Sequence, residues 1–367
     1  MKFTIRFNPT LAAVPRYQPG RPIEEVAREL GLAPEAVIKL ASNENPLGPS
    51  PRALAALRNG LDQVHLYPDG NAYYLKQRLA EKLDVDPRHL ALGNGSNEIL
   101  ELIGHALLGP GTDVVVSDYA FAVYPIVTHL FGANLITVPA RDYGHDLPAM
   151  RRAITPRTRV VFVAQPNNPT GVAAPEAEIQ QLVEDLPPGV LLVMDEAYRE
   201  YQEKPLDLLP WVREGRQPHL VLARTFSKIY GLAGLRLGYA VGHPDLISAL
   251  DQVRAPFNVN RLAQEAALAA LDDREHLERT RANNAAGMRA YEQAFRAAGM
   301  AWVPSAANFI LVRVGDGQRV FERMQERGVI VRPMGGYRLP EWVRITVGTP
   351  AENERCIAAL LEVMASI

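Results

Sequence analysis

The chain has 367 residues, a formal net charge of -2, 47% hydrophobic and 22% charged side chains. That balance leaves no electrostatic footprint for nucleic acid or an anionic membrane, and no run approaches the ~20 apolar residues of a membrane span. A single cysteine, Cys356, excludes an intrachain disulfide and a cysteine-built zinc site. The eight histidines are scattered, with no ligand pair at helical spacing, so no metal site is expected. Met1 to Gln18 lacks the continuous apolar stretch of a secretory signal, and the cytoplasm is the expected compartment.

A Pro-rich arm, Asn8 to Pro22, leads into a short amphipathic helix, Ile23 to Leu30, closed by Gly31. Such an arm suits packing on another subunit. The stretch Ser42 to Pro51 is turn-rich, a helix is expected around Ala53 to Leu57, and Tyr67-Pro68-Asp69-Gly70 is a further turn. From His89 the pattern becomes α/β. Apolar strand-like runs fall at His89 to Leu92, Val114 to Val116, Leu135 to Val138, Val160 to Ala164, Val190 to Met194, Leu220 to Ala223 and Leu237 to Val241. Helical segments separate them; the first has Ile99, Leu102, Ile103, Ala106 and Leu107 at the 3.6 period. Nearly continuous apolar strands predict a mostly parallel seven-stranded sheet between helices. After Pro256 come an Ala-rich helix, Leu262 to Leu271, and a charged one through Arg281 to Ala298. Short strands are expected at Phe309 to Val314, Val329 to Arg332 and Val343 to Val347, and a last helix from Glu352 to Met364 with Cys356 packed inside. The expected division is 1–45 (arm and part of the small domain), 46–258 (large α/β domain) and 259–367 (small α+β domain).

Polar residues gather where the strands end, the place open α/β sheets keep ligands. Gly93 to Asn97 opens a helix directly after a strand, so its backbone amides can hold a phosphate; a structural turn explains the same string. Gln165 to Gly171 is an amide-rich turn with equally good turn chemistry. Asp195 closes a buried strand, where a carboxylate requires a cation or hydrogen-bond donors. Lys228 lies just past another strand end, flanked by Ser227 and Arg236, a hydroxyl and a fixed charge that suit a phosphate dianion.

The order Asn168, Asp195, Tyr198, Ser227, Lys228, Arg236, with the NNPTG turn, the DEAY at a strand end, the SK dipeptide and an arginine eight positions after the lysine, resembles the pyridoxal-phosphate aminotransferases with the aspartate aminotransferase type of fold (fold type I). The resemblance implies that Lys228 carries pyridoxal 5'-phosphate covalently and shuttles the proton. It implies that Asp195 pairs with the ring nitrogen and that Asn168 and Tyr198 bond the phenolic oxygen. Phe121 matches the aromatic stacked on the ring, with Tyr124 as the alternative. Gly95, Ser96, Asn97, Ser227 and Arg236 would hold the phosphate; Arg344 and Asn43 would take the substrate carboxylate. The large domain would then be the cofactor-binding one.

From Tyr17 almost to the end the chain most resembles the histidinol-phosphate aminotransferase family. The residues carrying this are Tyr17-Gln18-Pro19-Gly20, the SNENPLGPSP stretch, Tyr67-Pro68-Asp69-Gly70, Gly93 to Ser96, Arg254 to Asn260 and Gly328 to Pro333. It implies transamination between glutamate and imidazole-acetol phosphate in histidine biosynthesis. It also implies a homodimer in which Tyr67 reaches the neighbouring subunit's cofactor phosphate, and a side-chain pocket of Tyr17 and Arg332. Asn97 stands where many relatives are acidic, and Gln165 replaces a common asparagine. An aromatic amino acid aminotransferase of broader specificity, or a threonine-phosphate decarboxylase, would carry nearly the same motifs.

Overall fold

A computed structural model describes residues 5–16 and 19–367. All seven apolar runs become strands of one sheet: β1 (Leu90–Gly93), β2 (Asp113–Ser117), β3 (Asn134–Val138), β4 (Thr158–Ala164), β5 (Leu191–Asp195), β6 (Leu220–Thr225) and β7 (Gly238–Val241). Their spatial order is β1-β7-β6-β5-β4-β2-β3. Pairs from β6 to β3 are parallel, whereas β7 runs antiparallel to both β6 and β1. Alternate residues enter opposite cores, Val160 and Phe162 in one and Val161 and Val163 in the other. The sheet is covered on both faces, as its continuous apolar runs require.

Register brings the functional strand ends to one edge. Ala164 pairs with Asp195 and Asp195 with Ala223, while Gly238, at the start of the antiparallel strand, pairs with both Thr225 and Gly93. The ends of four strands and the beginning of a fifth therefore share one rim.

A second, antiparallel sheet orders Arg332–Pro333, Trp342–Thr346, Phe309–Arg313 and Trp302–Val303. A two-stranded parallel pair joins Ile38–Lys39 to Val329–Ile330. The single strand expected at Val329 to Arg332 is thus two, divided between sheets with Val331 buried at the join. The helix Ile23–Leu30 ends at Gly31 with φ 65°, the left-handed conformation glycine takes without steric cost. The last helix, Pro350–Ser366, starts with a reciprocal Thr349–Glu352 capping box and buries Cys356.

The helix Arg261–Leu271, expected at the start of the small domain, packs on Pro51–Gly60 and turns Ala263, Ala266, Ala267 and Ala270 into the core of the large sheet. Its small side chains allow that close approach; composition alone does not reveal which core an alanine face joins.

Candidate active site

Lys228 is set by a tight turn after β6. The Thr225 hydroxyl accepts from the Ser227 amide at 3.0 Å, and Phe226 and Ile229 on either side are fully buried, which leaves the lysine facing a cavity of about 230 Å³. Gly231 has φ 68°, and a Cβ there would lie 2.2 Å from the Gly48 carbonyl oxygen; only glycine lets the two turns touch. Lys228 Nζ donates to the Ser42 carbonyl at 3.1 Å and stands 5.6 Å from the Tyr198 ring centre.

Asp195 ends β5 at the same rim, 6% exposed. Its Oδ2 accepts from the Tyr124 hydroxyl at 2.9 Å and its Oδ1 from the Ala197 amide at 3.1 Å. Burial lifts the Asp195 carboxyl above its ordinary range, and those two donors pull against the rise. A cation seated against it would complete the site. Next along the chain, Glu196 meets Arg224 at 2.6 Å in a buried pair that fastens the ends of β5 and β6. Tyr198 is buried and pushed up to about 12 by desolvation, so its hydroxyl stays protonated at neutral pH; it accepts from Asn43 Nδ2 at 2.9 Å.

One end of the cavity is built for an anion. The helix Ser96–Leu107 starts after Gly95, which provides no side-chain cap, so first-turn amides remain for a ligand. Gly95 has φ 83°, and a Cβ there would fall 2.1 Å from Arg236 Nη2. Arg236 donates to Ser227 Oγ at 3.1 Å. Asn258 bonds both the Leu92 carbonyl, at 3.1 Å, and Glu98, at 2.7 Å, so the 254–260 segment steadies this turn.

At the other end lies Arg344, buried in the strand Trp342–Thr346, donating to Asn168 Oδ1 at 2.6 Å and to the Ala41 carbonyl at 2.9 Å. Arg332 is its register partner on the neighbouring strand, which puts both guanidinium groups on one face. Asn43 is fixed by a two-way bond with Thr346: its amide donates to Oγ1 at 3.0 Å, and that hydroxyl donates back to Oδ1 at 3.1 Å.

The cavity therefore gathers Asn43, Ser96, Asn97, Phe121, Asn168, Asp195, Tyr198, Ser227, Lys228, Arg236, Arg332 and Arg344. Gly95 lies behind Arg236. Tyr67 is elsewhere, 78% exposed and stacked on Phe257 with ring centres 4.7 Å apart. Tyr17 lies outside the described residues. Phe121, not Tyr124, lines the cavity; Tyr124 is fully buried behind it. Gln165 serves the turn, exchanging two hydrogen bonds with the Ala174 backbone at 2.8 and 3.2 Å. Tyr337 and Ser42 also line the cavity; a lone loop tyrosine and a backbone acceptor leave no pattern in the sequence.

Residues 35–360 match the family described as Aminotransferase class I and II. Over 349 residues the chain is 55% identical to histidinol-phosphate aminotransferase of Akkermansia muciniphila, covering 95% of this chain and 96% of that one. The chain belongs to the histidinol-phosphate aminotransferase family. Histidinol-phosphate aminotransferase 1 of Thiobacillus denitrificans is 53% identical over 360 residues, 98% of this chain and 93% of the relative. The fold agrees: the crystal structure of histidinol-phosphate aminotransferase from Sinorhizobium meliloti in complex with pyridoxal-5'-phosphate superposes with a TM-score of 0.91 at 31% identity, covering 99% of each chain. Among the described residues there is no metal-ligating cluster and no helix long and apolar enough to cross a membrane.

Proposed function

We propose that this chain is a pyridoxal-phosphate-dependent aminotransferase that moves the amino group of glutamate onto imidazole-acetol phosphate, giving histidinol phosphate and 2-oxoglutarate. The observation that carries the reading is one cavity in which a lysine, a buried aspartate, a glycine-cradled anion site and two arginines face one another, in a chain so similar to enzymes of that name.

The residues fit pyridoxal phosphate. The cradle at Gly95 would be filled by any Cβ, Arg236 and the helix start match a dianion, and buried Asp195 is placed to meet a protonated ring nitrogen. When bound, the cofactor supplies an electron-withdrawing ring that stabilises negative charge at the substrate carbon. Ser96, Asn97, Ser227 and Arg236 hold its phosphate. Asp195 holds a proton on the ring nitrogen, Asn168 and Tyr198 donate to the phenolic oxygen, and Phe121 covers the ring. Lys228 Nζ would hold the cofactor covalently, and its amine would take and return the proton of the substrate carbon. A free lysine of pKa ~10.4 is less than about a thousandth neutral at pH 7, so the site must favour the neutral amine. Arg344 and Asn43 bind the glutamate carboxylate, and Arg332 with Tyr17 lines the pocket for the second substrate.

The large domain carries the cofactor contacts and the small domain supplies Arg332 and Arg344. Their division is drawn within the helix Arg274–Ala297, which touches the large core through Leu277 and the small one through Met288, Tyr291 and Phe295. The exposed apolar surface of Leu61, Val64, Leu66, Tyr67 and Phe257 supports a homodimer in which a second copy covers it and Tyr67 reaches the neighbour's phosphate. A biosynthetic enzyme with one buried thiol suits the cytoplasm.

The test is a single half-reaction followed by the visible spectrum of cofactor-loaded protein, with histidinol phosphate, phenylalanine and phosphothreonine added separately. Rapid conversion to the amine form with histidinol phosphate alone is expected. Equal or faster conversion by phenylalanine would replace the specific reading with a broad aromatic aminotransferase, and carbon dioxide release from phosphothreonine would indicate a decarboxylase.

A further inference from the structure

Tyr124 has no role in the reaction as derived above, yet three observations converge on it. It sits in the first turn of the helix Val123–Leu130 and is fully buried. Its ring lies parallel to Phe162 at 4.6 Å and 5°, and edge-on to Phe121 at 5.7 Å and 88°. The hydroxyl, the only polar atom on this clamped ring, donates to Asp195 Oδ2 at 2.9 Å.

We infer that Tyr124 is a positioning residue which fixes the orientation and the negative charge of Asp195 toward the ring nitrogen of the cofactor. The inference rests on the cofactor reading above. A buried phenol requires some acceptor, and a purely structural tyrosine would be content with any carbonyl. Here the acceptor is the one carboxylate in the cavity whose burial works against its charge. A neutral donor favours the charged form of that carboxylate. The Ala197 amide holds the other oxygen, so Asp195 is gripped from two sides and cannot rotate away when a ligand arrives. Because Phe121 lines the cavity and packs on Tyr124, the ring-covering aromatic and the ring-nitrogen partner are braced by one side chain.

Tyr124→Phe keeps both ring contacts and removes one oxygen. The measurement is pyridoxal phosphate affinity of the apo-protein by fluorescence quenching, repeated with an analogue whose ring nitrogen is replaced by carbon, and repeated in Asp195→Asn. Thermal melting of each apo-protein controls for folding. Loss of a charge-assisted hydrogen bond is expected to weaken pyridoxal phosphate binding about tenfold or more, with no difference for the carbon analogue and none in the Asp195→Asn background. An unchanged affinity for pyridoxal phosphate, or an equal loss with the carbon analogue, would overturn the inference. If the unaltered protein takes up no pyridoxal phosphate, the cofactor reading itself fails and this inference with it.

Discussion

Arg344 Nη1 donates to Asn168 Oδ1 at 2.6 Å, tying a strand of the small sheet to the turn that follows β4 in the large one. The same guanidinium holds the Ala41 carbonyl, and Lys228 holds the next carbonyl, Ser42. Under the proposed function, the substrate carboxylate would meet an arginine already oriented by these protein acceptors. Arg344→Lys keeps the charge and loses the planar guanidinium fork. Steady-state kinetics are expected to give a kcat/KM for glutamate lowered about a hundredfold, with cofactor affinity nearly unchanged. A kcat/KM within a factor of two of the parent would remove Arg344 from substrate binding.

Gly95→Ala tests the anion cradle. With φ 83°, and Arg236 Nη2 2.1 Å from the new Cβ position, the substitution strains the backbone by about 1–3 kcal/mol and pushes the guanidinium out of place. Cofactor affinity is expected to fall by an order of magnitude or more in an equilibrium titration, and apo-protein melting should drop as well. Unaltered affinity would mean that the phosphate sits elsewhere.

The strands are legible because buried parallel strands read as apolar runs, and Asp195 stands out as a carboxylate closing one of them. Lys228, in the turn beyond Leu220–Thr225, reads alone as a solvated loop lysine and is singled out only by the family pattern around it. Tyr124 was read as an alternative to Phe121 for covering the ring. Phe121 lies just before the helix Val123–Leu130 and Tyr124 in its first turn; a spacing of three residues does not tell which one lines the cavity and which reaches back to a carboxylate. The alanine face of Arg261–Leu271 joins the core of the large sheet, which the sequence does not reveal because small side chains mark close packing without naming the partner. Val329 to Arg332 read as one strand because hydropathy does not register a chain passing from one sheet to another.

Arg224 and Glu196 form a buried pair at 2.6 Å between adjacent strands. Arg224→Met leaves Glu196 with the longer contact to Arg199, at 3.6 Å, and is expected to destabilise the fold by about 3–5 kcal/mol in denaturant unfolding. Combining it with Glu196→Gln should recover part of that loss, since the buried charge left at Glu196 is then removed. Failure of the double variant to recover would assign the effect to lost packing instead.

His145 is buried, its Nε2–H donating to the Ala164 carbonyl at 3.0 Å, and desolvation lowers its pKa to about 4. The unfolded chain takes up this proton near pH 6.5 while the folded one resists, so its contribution is fully present above pH 6.5. It is lost as pH falls toward 4, by about 3 kcal/mol. Stability curves of the parent and of His145→Gln should therefore converge over that window. Parallel curves between pH 6.5 and 4 would contradict a neutral, buried His145.

Lys228 is the residue proposed to carry the cofactor. Protein loaded with pyridoxal phosphate, reduced with borohydride and digested, should yield one modified peptide by mass spectrometry, with the cofactor's mass on Lys228. Lys228→Ala should fold, give no such peptide and lose transamination. Cofactor fixed on another lysine, or transamination near the parent's rate in Lys228→Ala, would contradict the account.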